Sequence, residues 1–307
     1  MRIVFFGTPE FAGPSLQALI DDGNELVGVV TQPDRPRGRS RSTLAPSPVK
    51  LAALENAVPV LQPERPVGDV FLAALRHLEP ELGVVVAYGH ILKPVVLEVP
   101  RYGMINLHAS LLPELRGAAP IPWSILRGDA RTGVTVMQME AGLDSGPILH
   151  HVATEIAPDE TGGSLSKRLA ELGADALVDA LALIRLGAVS PVPQDQSRAS
   201  HAPKVGRALA QVRWDEDAHA VARRIRAFDP VPGAWSTFGG SEIKLFRPRV
   251  VPGAGEPGMV VAMRPSLQIA AGSGAVEIEE LQPAGRTRMA AAQWARGRIV
   301  VEGDHFG

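Results

Sequence analysis

The sequence predicts a two-part α/β protein: a doubly wound, mostly parallel, Rossmann-like sheet, followed by a smaller β-barrel domain. Three observations lead to this prediction. Apolar runs typical of buried strands alternate with segments of helical spacing over the first 188 residues. A stretch rich in Pro, Gln and Ser then breaks the pattern, as a linker does. Short strand-like segments separated by turns fill the last hundred residues, which is typical of a small β-barrel.

Length and composition set the protein class. The chain has 307 residues, more than one ordinary core holds, so two domains are expected. Its 45% hydrophobic and 21% charged content is that of a soluble globular protein. No cysteine occurs, which excludes disulfides, thiolate metal sites and cysteine nucleophiles and is compatible with a reducing cytoplasm. The apolar run 2–6 is too short for a signal peptide or a membrane span, so a cytoplasmic protein is expected.

The predicted elements of the first part follow the chain in order. Each apolar run with β-branched residues is assigned to a strand, and each run with apolar residues three or four apart is assigned to a helix. Strands are predicted over 2–6, 26–31, 58–61, 82–87, 104–108 and 132–139, and helices over 11–19, 49–55, 70–78, 121–126, 161–172 and 174–186. No G-x-G-x-x-G follows the first strand, so a dinucleotide cofactor is not expected.

The stretch 32–50 differs from its surroundings. Five basic residues stand among Pro, Gly and Ser beside one acid, Asp34. A loop of this length in a compact domain is unusual and is commonly functional. On the pattern alone it is equally a solvated connector or a basic patch for an anionic partner. The net charge of −2 offers no general attraction to nucleic acid, so any such contact would be local.

The chemistry is expected around Asn106 and His108. Both lie in the apolar strand that leads into the Pro/Gly-punctuated loop 110–117. Side chains two apart on a strand share a face, so this amide and imidazole project together. Such a pair is suited to polarising a carbonyl and stabilising an oxyanion.

A second polar group is expected from the segment 140–147, where two glycines bracket Asp144. The glycines permit a tight turn that brings one carboxylate close to a ligand. Asn106, His108 and Asp144 together suit acyl transfer without a covalent intermediate. Singly, each has an ordinary structural explanation: a turn cap, a core histidine and an Asx turn.

The motifs together resemble one family. Asn106-x-His108-x-Ser110-Leu111-Leu112-Pro113 and the distal Gly142-x-Asp144-x-Gly146 are similar to the folate-dependent formyltransferases. Further motifs resemble the branch of that family that acts on charged transfer RNA, and they occur in the segments 6–12, 31–36, 86–89 and 116–121. The resemblance covers nearly the whole chain.

The resemblance implies a reaction. The formyl group of 10-formyl-tetrahydrofolate would pass to the free amino group of methionyl-initiator-tRNA, giving N-formylmethionyl-tRNA for translation initiation. Asn106 and a protonated His108 would hold the oxyanion. Asp144 would favour that protonated form, orient the ring and help move a proton to the departing folate nitrogen. No metal is required. The residues implied for folate binding are Ser110, Leu111, Leu112, Pro113, Tyr88, Gly89, Ile91 and Leu92.

The resemblance also implies a tRNA surface and a domain plan. The basic loop would enter the acceptor arm, since guanidinium groups bind phosphates and stack on unpaired bases. The residues expected to contact tRNA are Arg35, Arg37, Arg39, Arg41, Lys204, Arg223 and Arg224. On the pattern alone, Arg223 and Arg224 are equally residues of a solvated helix face. The expected domains are 1–188 for catalysis, 189–206 as linker and 207–307 as an OB-like tRNA-binding barrel, whose 13 basic and 11 acidic residues give a net charge of +2. A monomer that binds neither DNA nor membrane is expected.

Several positions depart from the family pattern or suggest other sites. Glu114, Trp123 and His201 replace residues more usual in relatives, and His90 is interpreted as a wall residue. The pair His150-His151 is not expected to bind metal, because adjacent strand residues face opposite ways. The sequence is also compatible with two other functions: a relative that formylates a small amine, and a non-catalytic tRNA- or folate-binding protein. The basic loop and second domain argue against the first, and the complete polar triad argues against the second.

Overall fold

The computed structural model describes residues 1–37, 43–263, 266–298 and 300–307. The chain forms two compact units. The first comprises Met1–Pro120, Arg131–Glu155 and Ser166–Ala202, and the second comprises Ile121–Ala130, Ile156–Leu165 and Pro203–Gly307. Two short segments from the range 1–188 therefore belong to the second unit, and residues 189–202 belong to the first.

The elements up to residue 185 are, in chain order, β1 (Arg2–Gly7), α1 (Gly13–Asp21), β2 (Glu25–Val30), β3 (Arg35–Arg37), β4 (Thr43–Ala45), α2 (Pro48–Glu55), β5 (Val60–Leu61), α3 (Asp69–His77), β6 (Leu82–Val86), α4 (Pro94–Leu97), β7 (Met104–His108), α5 (Pro120–Arg127), β8 (Arg131–Gln138), β9 (Ile148–Glu155) and α6 (Gly162–Arg185). Short 3-10 turns lie at Glu10–Ala12 and Gln196–Arg198.

The first sheet has the order β5-β2-β1-β6-β7-β8-β9. The first five strands are parallel, and β8 and β9 run antiparallel to their neighbours. Strand order reverses between β1 and β6, as in doubly wound sheets, where ligands bind beyond the carboxyl ends of the strands at the reversal. Every residue of β6 is buried, as its continuous apolar run predicts. The predicted Rossmann-like, mostly parallel sheet is confirmed.

Helix α6 corrects one prediction. The sequence suggested two helices separated near Gly173, but α6 is a single helix of 24 residues. A side chain at Gly173 would come within 2.7 Å of Leu107 Cδ2. The glycine is therefore a point of close approach between α6 and β7, and glycine is tolerated inside a helix where packing requires it.

The basic stretch contains a β-ribbon. Strands β3 and β4 pair antiparallel, with Arg35 opposite Ala45. At its base, Lys50 Nζ donates to Asp34 Oδ2 at 2.6 Å. Hydrogen bonds from Lys50 and Gln62 hold the pKa of the Asp34 carboxyl below its usual value. The predicted contact residues Arg39 and Arg41 lie outside the described residues.

The elements of the second unit after residue 203 are α7 (Ala218–Ala227), β10 (Ala234–Phe238), β11 (Ser241–Val251), β12 (Val260–Ala262), β13 (Leu267–Ala270), β14 (Ala275–Pro283), β15 (Met289–Ala290) and α8 (Ala291–Arg298). They form an antiparallel sheet of order β10-β11-β14-β13-β12, with β15 paired to β14. An antiparallel second domain is thus confirmed.

The C-terminal residues connect the two outer strands of this second sheet. Phe306 forms an antiparallel bridge with Phe238, the last residue of β10. His305 forms another with Met259, which directly precedes β12. The ring of Phe306 also lies 4.9 Å from that of Phe238 and 6.2 Å from that of Trp214. Both edges of the sheet are therefore tied to the same terminal segment, which limits their exposure.

The described ranges contain neither a membrane-spanning helix nor a cluster of metal-binding side chains. None of the helices found there has the length and apolar character needed to cross a membrane. The same ranges contain no group of three or more His, Asp or Glu residues arranged to hold a metal ion.

Candidate active site

Strand β7 brings Asn106 and His108 to one side of the sheet. It lies between β6 and β8, with Asn106 in register with Val85 and Met137. The alternate residues Ile105 and Leu107 are each 3% exposed on the other side. Since β6 and β7 are parallel, the loops that follow them leave the sheet at the same edge. Asn106 and His108 therefore project from one face next to that edge.

The imidazole of His108 is buried between two oxygen atoms. Its Nε2 lies 2.9 Å from the carbonyl oxygen of Leu115, and its Nδ1 lies 3.8 Å from Asp144 Oδ2. A carbonyl oxygen only accepts hydrogen bonds, so Nε2 carries a proton and donates it. The nitrogen facing the carboxylate is then Nδ1. The 3.8 Å separation is longer than a direct hydrogen bond, so Asp144 does not occupy the hydrogen-bonding position of Nδ1.

Asp144 is held in a tight, left-handed turn. Its φ is +48°, which lies in the left-handed region that few side-chain-bearing residues adopt and that aspartate tolerates better than most. Its Oδ2 accepts a hydrogen bond of 2.8 Å from the backbone N–H of Gly117. The same carboxylate oxygen therefore faces both His108 and the loop that follows β7, so this oxygen links two segments that are distant in sequence.

The glycines around Asp144 act through space rather than through φ. The sequence suggested that they supply the tight turn, but the positive φ belongs to Asp144. A Cβ at Gly146 would lie 1.9 Å from the carbonyl oxygen of Gln138, and one at Gly142 would lie 2.1 Å from Ser145 Oγ. The close approach of the loop to the end of β8 therefore requires a glycine at position 146, whereas the contact at Gly142 is with a side chain of the loop itself.

Two further residues support this turn and were missed by sequence reasoning. Gln194 is buried, and its Nε2 donates to the carbonyl oxygens of Asp144 at 2.9 Å and Gly146 at 2.8 Å. Its Oε1 accepts from Nε and Nη2 of Arg116, which is 6% exposed. Gln194 lay in the predicted linker, where polar residues are expected to be solvated. A glutamine and an arginine have no pattern that marks them as buried.

The residues expected to bind folate divide into two groups. Tyr88 and Leu92 point into the core, where the Tyr88 ring stands edge-on to Phe6 at 5.4 Å. Burial raises the pKa of Tyr88 to about 12, and its hydroxyl has no hydrogen-bond partner among the described residues. Their side chains therefore belong to the core of the first unit, and we expect any folate contact of these two residues to come from their backbone. By contrast, Ile91 is 83% exposed, and Gly89 is exposed as well.

The loop after β7 is held by hydrogen bonds from hydroxyl groups to its own backbone. The Ser110 hydroxyl donates to the carbonyl oxygen of Glu114, and Thr135 Oγ1 joins two more backbone groups, accepting from Leu112 N and donating to Ser110 O. Leu112 and Pro113 are buried, and Leu111 is partly exposed. The hydroxyl of Ser110 is already engaged, so a ligand here would meet mainly backbone and Leu111.

The two adjacent arginines predicted to contact tRNA, Arg223 and Arg224, differ in burial. Arg224 is 8% exposed and donates to both carboxylate oxygens of Glu216 at 2.8 and 2.9 Å. The Arg224 guanidinium is thus engaged in an ion pair within the second unit, and we expect it to stabilise the fold, although the sequence suggested a tRNA contact. Lys204 is exposed and Arg223 is partly exposed. In the first unit, Arg35 is exposed and donates to Gln32 Oε1.

Three other positions noted in the sequence, His90, Trp123 and His201, make ordinary contacts within the fold. His90 is partly buried, with its ring 5.5 Å from that of Tyr88. Trp123 donates its indole N–H to the carbonyl oxygen of Pro203. His201 is exposed and forms a backbone bridge to Arg116. The adjacent histidines of β9 pair in register with different residues of β8 and point to opposite faces.

Two family models match the chain. One, described as formyl transferase, matches residues 1–181, and one described as formyl transferase, C-terminal domain, matches residues 204–298. The chain belongs to the formyl transferase family. Curated members of this formyl transferase family are similar over the full length. A methionyl-tRNA formyltransferase of Methylococcus capsulatus is 47% identical, covering 98% of this chain and 98% of that protein. One of Geotalea daltonii is 44% identical, covering 100% and 98%.

Solved structures of formyl transferases share the fold at lower identity. WlaRD, a sugar 3N-formyl transferase solved with dTDP and 5-N-formyl-THF, has a TM-score of 0.68 and 17% identity, covering 94% of this chain and 99% of WlaRD. HypX from Aquifex aeolicus, solved with tetrahydrofolic acid, has a TM-score of 0.65 and 21% identity, covering 96% of this chain and 47% of HypX. At these identities the likeness concerns the fold alone.

Proposed function

We propose that this chain is a methionyl-tRNA formyltransferase, which formylates the free amino group of methionyl-initiator-tRNA. The observation that carries the proposal is a sequence identity of 41–49% to eight relatives of that name, over 93–100% of this chain. The arrangement of Asn106, His108 and Asp144 agrees with it, because an amide, an imidazole and a carboxylate suit transfer of an acyl group to an amine without a covalent enzyme intermediate.

The reaction assigns a role to each of the three side chains. The neutral methionyl amine attacks the formyl carbon, a C–N bond forms, and the carbonyl oxygen becomes an oxyanion. Asn106 and His108 donate hydrogen bonds to that oxygen. The C–N bond to the folate nitrogen then breaks, and the proton lost by the amine passes to that nitrogen. Asp144 assists this transfer and keeps the imidazole in its productive orientation.

The contacts of His108 define which nitrogen takes part. Nε2 is occupied by the carbonyl oxygen of Leu115. Nδ1 is therefore the position that can donate to the oxyanion. The Asp144 carboxylate lies 3.8 Å from Nδ1, so it is placed to orient an N–H group at this nitrogen.

We place the folate beside the carboxyl ends of β6 and β7. The backbone of 88–92 and 110–113 and the side chains of Ile91 and Leu111 would line its site, in agreement with ligand binding at a topological switch point. The donor is proposed to be 10-formyl-tetrahydrofolate. The chemistry described above requires no metal.

We place the tRNA on the basic ribbon and on the second unit. Arg35, Arg37, Arg39 and Arg41 of the first unit, with Lys204 and Arg223 of the second, would contact its phosphates and unpaired bases. The second domain is proposed to be an OB-like barrel, a fold often used on nucleic acids. The terminal segment that bridges β10 and the start of β12 supports closure of that barrel. In this plan residues 1–188 catalyse, 189–206 connect and 207–307 hold the tRNA.

Three further proposals concern the protein in the cell. We propose a cytoplasmic location, where initiator tRNA is charged and used. We propose that the enzyme is a monomer, since one copy carries both catalytic and tRNA-binding parts. We propose that it binds neither DNA nor membrane surfaces.

Formyl transfer from 10-formyl-tetrahydrofolate tests the function directly. Charged initiator methionyl-tRNA, charged elongator methionyl-tRNA and a small amino-sugar nucleotide would be compared as acceptors. Rapid formylation confined to the initiator supports the proposal. Turnover of the small amine alone would assign the chain to the small-acceptor branch, and no turnover with retained folate or tRNA binding would indicate a binding protein.

The variant His108→Ala tests the assigned mechanism. Loss of one oxyanion donor or acid–base group lowers turnover by about two to three orders of magnitude. The expected result is that reduction in kcat, with folate affinity retained. His151→Ala is the matched control, because His151 is exposed on β9 and has no assigned role. Near-normal turnover of His108→Ala would refute the mechanism.

A further inference from the structure

Residues 192–202, which we call the clasp segment, wrap around the loop that follows β7. At one end Val192 exchanges two backbone hydrogen bonds of 2.8 Å with Ile148. At the other, the Ser200 hydroxyl accepts from Leu115 N, and the Ser200 carbonyl accepts from Arg116 N. Sequence composition suggested a linker here. The contacts instead make the clasp segment part of the candidate active site.

Gln194 occupies the centre of the clasp segment with every polar group of its side chain used. Its two amide N–H bonds point to the carbonyl oxygens of Asp144 and Gly146. Its carbonyl oxygen accepts from Arg116 at 3.0 Å from Nε and 2.5 Å from Nη2. A buried amide that makes this many hydrogen bonds has one allowed orientation, and each bond fixes the groups on both sides.

We propose that Gln194 is a positioning residue for the formyl transfer, which sets the Asp144 carboxylate against Nδ1 of His108. The proposal rests on the catalytic role given to Asp144 under the proposed function. Asp144 has a left-handed backbone, which is less common than the helical and extended conformations open to an unrestrained turn. Gln194 holds the carbonyl oxygens of residues 144 and 146, so it restrains the turn on both sides of the left-handed residue.

Arg116 completes the arrangement from the other side. Its guanidinium is buried, and the partners found for it in the described part of the chain are the side-chain oxygens of Gln194 and Gln196. These bonds orient the Gln194 amide so that its N–H groups point to the Asp144 turn. The residue after Arg116, Gly117, donates to the Asp144 carboxylate itself. Backbone and carboxylate of Asp144 are thus aligned by one connected network.

The substitution Gln194→Glu separates positioning from folding. A glutamate retains the acceptor oxygen for Arg116 and adds a charge that pairs with the buried guanidinium, and we expect this pairing to offset the stability lost with the two donors to the turn. It removes both donors to the turn and places an oxygen against two carbonyl oxygens, which is repulsive. Displacement of a catalytic group by about 1 Å lowers turnover by about 10²-fold.

The expected result is a fall in kcat of about ten- to a hundredfold for Gln194→Glu, with KM for folate and for charged tRNA within about threefold of the parent and an unchanged melting temperature. Gln17→Glu is the matched control, because it makes the same chemical change outside the network. Gln17 is exposed on α1, and its side chain donates to Asp21. Its kcat is expected to stay within about threefold.

Asp144→Asn and the double variant Asp144→Asn/Gln194→Glu distinguish the two levels of inference. If Gln194 acts through Asp144, the double variant is no slower than Asp144→Asn alone, because the second change has nothing left to misplace. Full activity of Asp144→Asn would refute the proposed role of Asp144. A slow Asp144→Asn beside a fully active Gln194→Glu, or effects that multiply in the double variant, would refute the role of Gln194 alone.

Discussion

Replacing Arg224 by Ala tests the distinction between a structural and a nucleic-acid-binding arginine. Three hydrogen bonds hold the Arg224 guanidinium: Nη1 donates to the carbonyl oxygen of Leu209 at 2.8 Å, and Nη2 donates to each carboxylate oxygen of Glu216. The residue is also buried on α7. Arg223 is partly exposed beside it. The prediction is that Arg224→Ala lowers stability and leaves tRNA use unchanged.

The size of the effect follows from burial. Removing one partner of a buried ion pair costs about 3–5 kcal/mol because the other charge stays buried. The side chain of Arg224 is 9% exposed, but that of Glu216 is 28% exposed, so water partly replaces the lost partner. We therefore expect a loss of about 2–3 kcal/mol, which is lower than the fully buried value. For a domain slightly above 100 residues this lowers Tm by about 10 °C.

Calorimetry or circular dichroism gives the melting temperature, and formyl-transfer kinetics well below it give KM for charged tRNA. Arg213→Ala is the control, since Arg213 is 62% exposed and lies 3.9 Å from the same glutamate. Exposed pairs of this kind contribute at most about 1 kcal/mol. An unchanged Tm with a raised KM for tRNA in Arg224→Ala would refute the reasoning, because it would show that the buried pair opens to the RNA.

Two further predictions concern single positions. Gly146→Ala places a methyl group against the carbonyl oxygen of Gln138. We expect it to lower the free energy of unfolding by about 1–3 kcal/mol and to lower kcat. The control is Gly13→Ala, where the new methyl group meets no atom from another part of the chain within 4 Å, and its stability and kcat should match those of the parent. Asp217→Ala removes the N-cap of α7 and should cost about 1 kcal/mol near pH 7 by chemical denaturation. Hydrogen bonds from the N–H groups of Ala220 and His219 lower the pKa of Asp217, so its contribution is present above pH 3.8 and is lost as the pH falls through the lower folded-state pKa. A stability difference between parent and Asp217→Ala that persists at a pH well below 3.8 would contradict this account.

Local pattern was sufficient for much of the first unit. Strands β1, β2 and β6 are continuous apolar runs, and a strand buried on both faces leaves that signature in any sequence. The placement of Asn106 and His108 on one face needed only the two-residue period of a strand. These inferences use neighbours in sequence, which is why they could be made without a structure.

Pairings over long sequence distances could not be predicted in this way. Gln194 and Asp144 are separated by 50 residues, and Gln194 and Arg116 by 78. Arg223 and Arg224 are adjacent and chemically identical, and only the position of Glu216 within the fold makes one of them structural. Likewise Gly173 looks like a helix break in sequence, whereas the close approach of Leu107 explains it as a packing position within α6. In each case the decisive partner lies in another element.

Most hydrogen bonds that hold the candidate site together involve a backbone group. Gln194 binds the carbonyl oxygens of Asp144 and Gly146, Gly117 offers its N–H, and His108 donates to the carbonyl oxygen of Leu115. Backbone partners exist whatever the side chain is. The constraint therefore falls on residues that recognise the backbone, and on glycines that let it approach, while a side chain such as Leu143, which is 56% exposed beside Asp144, does not take part in this network. Substitutions at Leu143 should accordingly be tolerated far better than substitutions at Gln194, although only Leu143 lies next to the catalytic carboxylate in sequence.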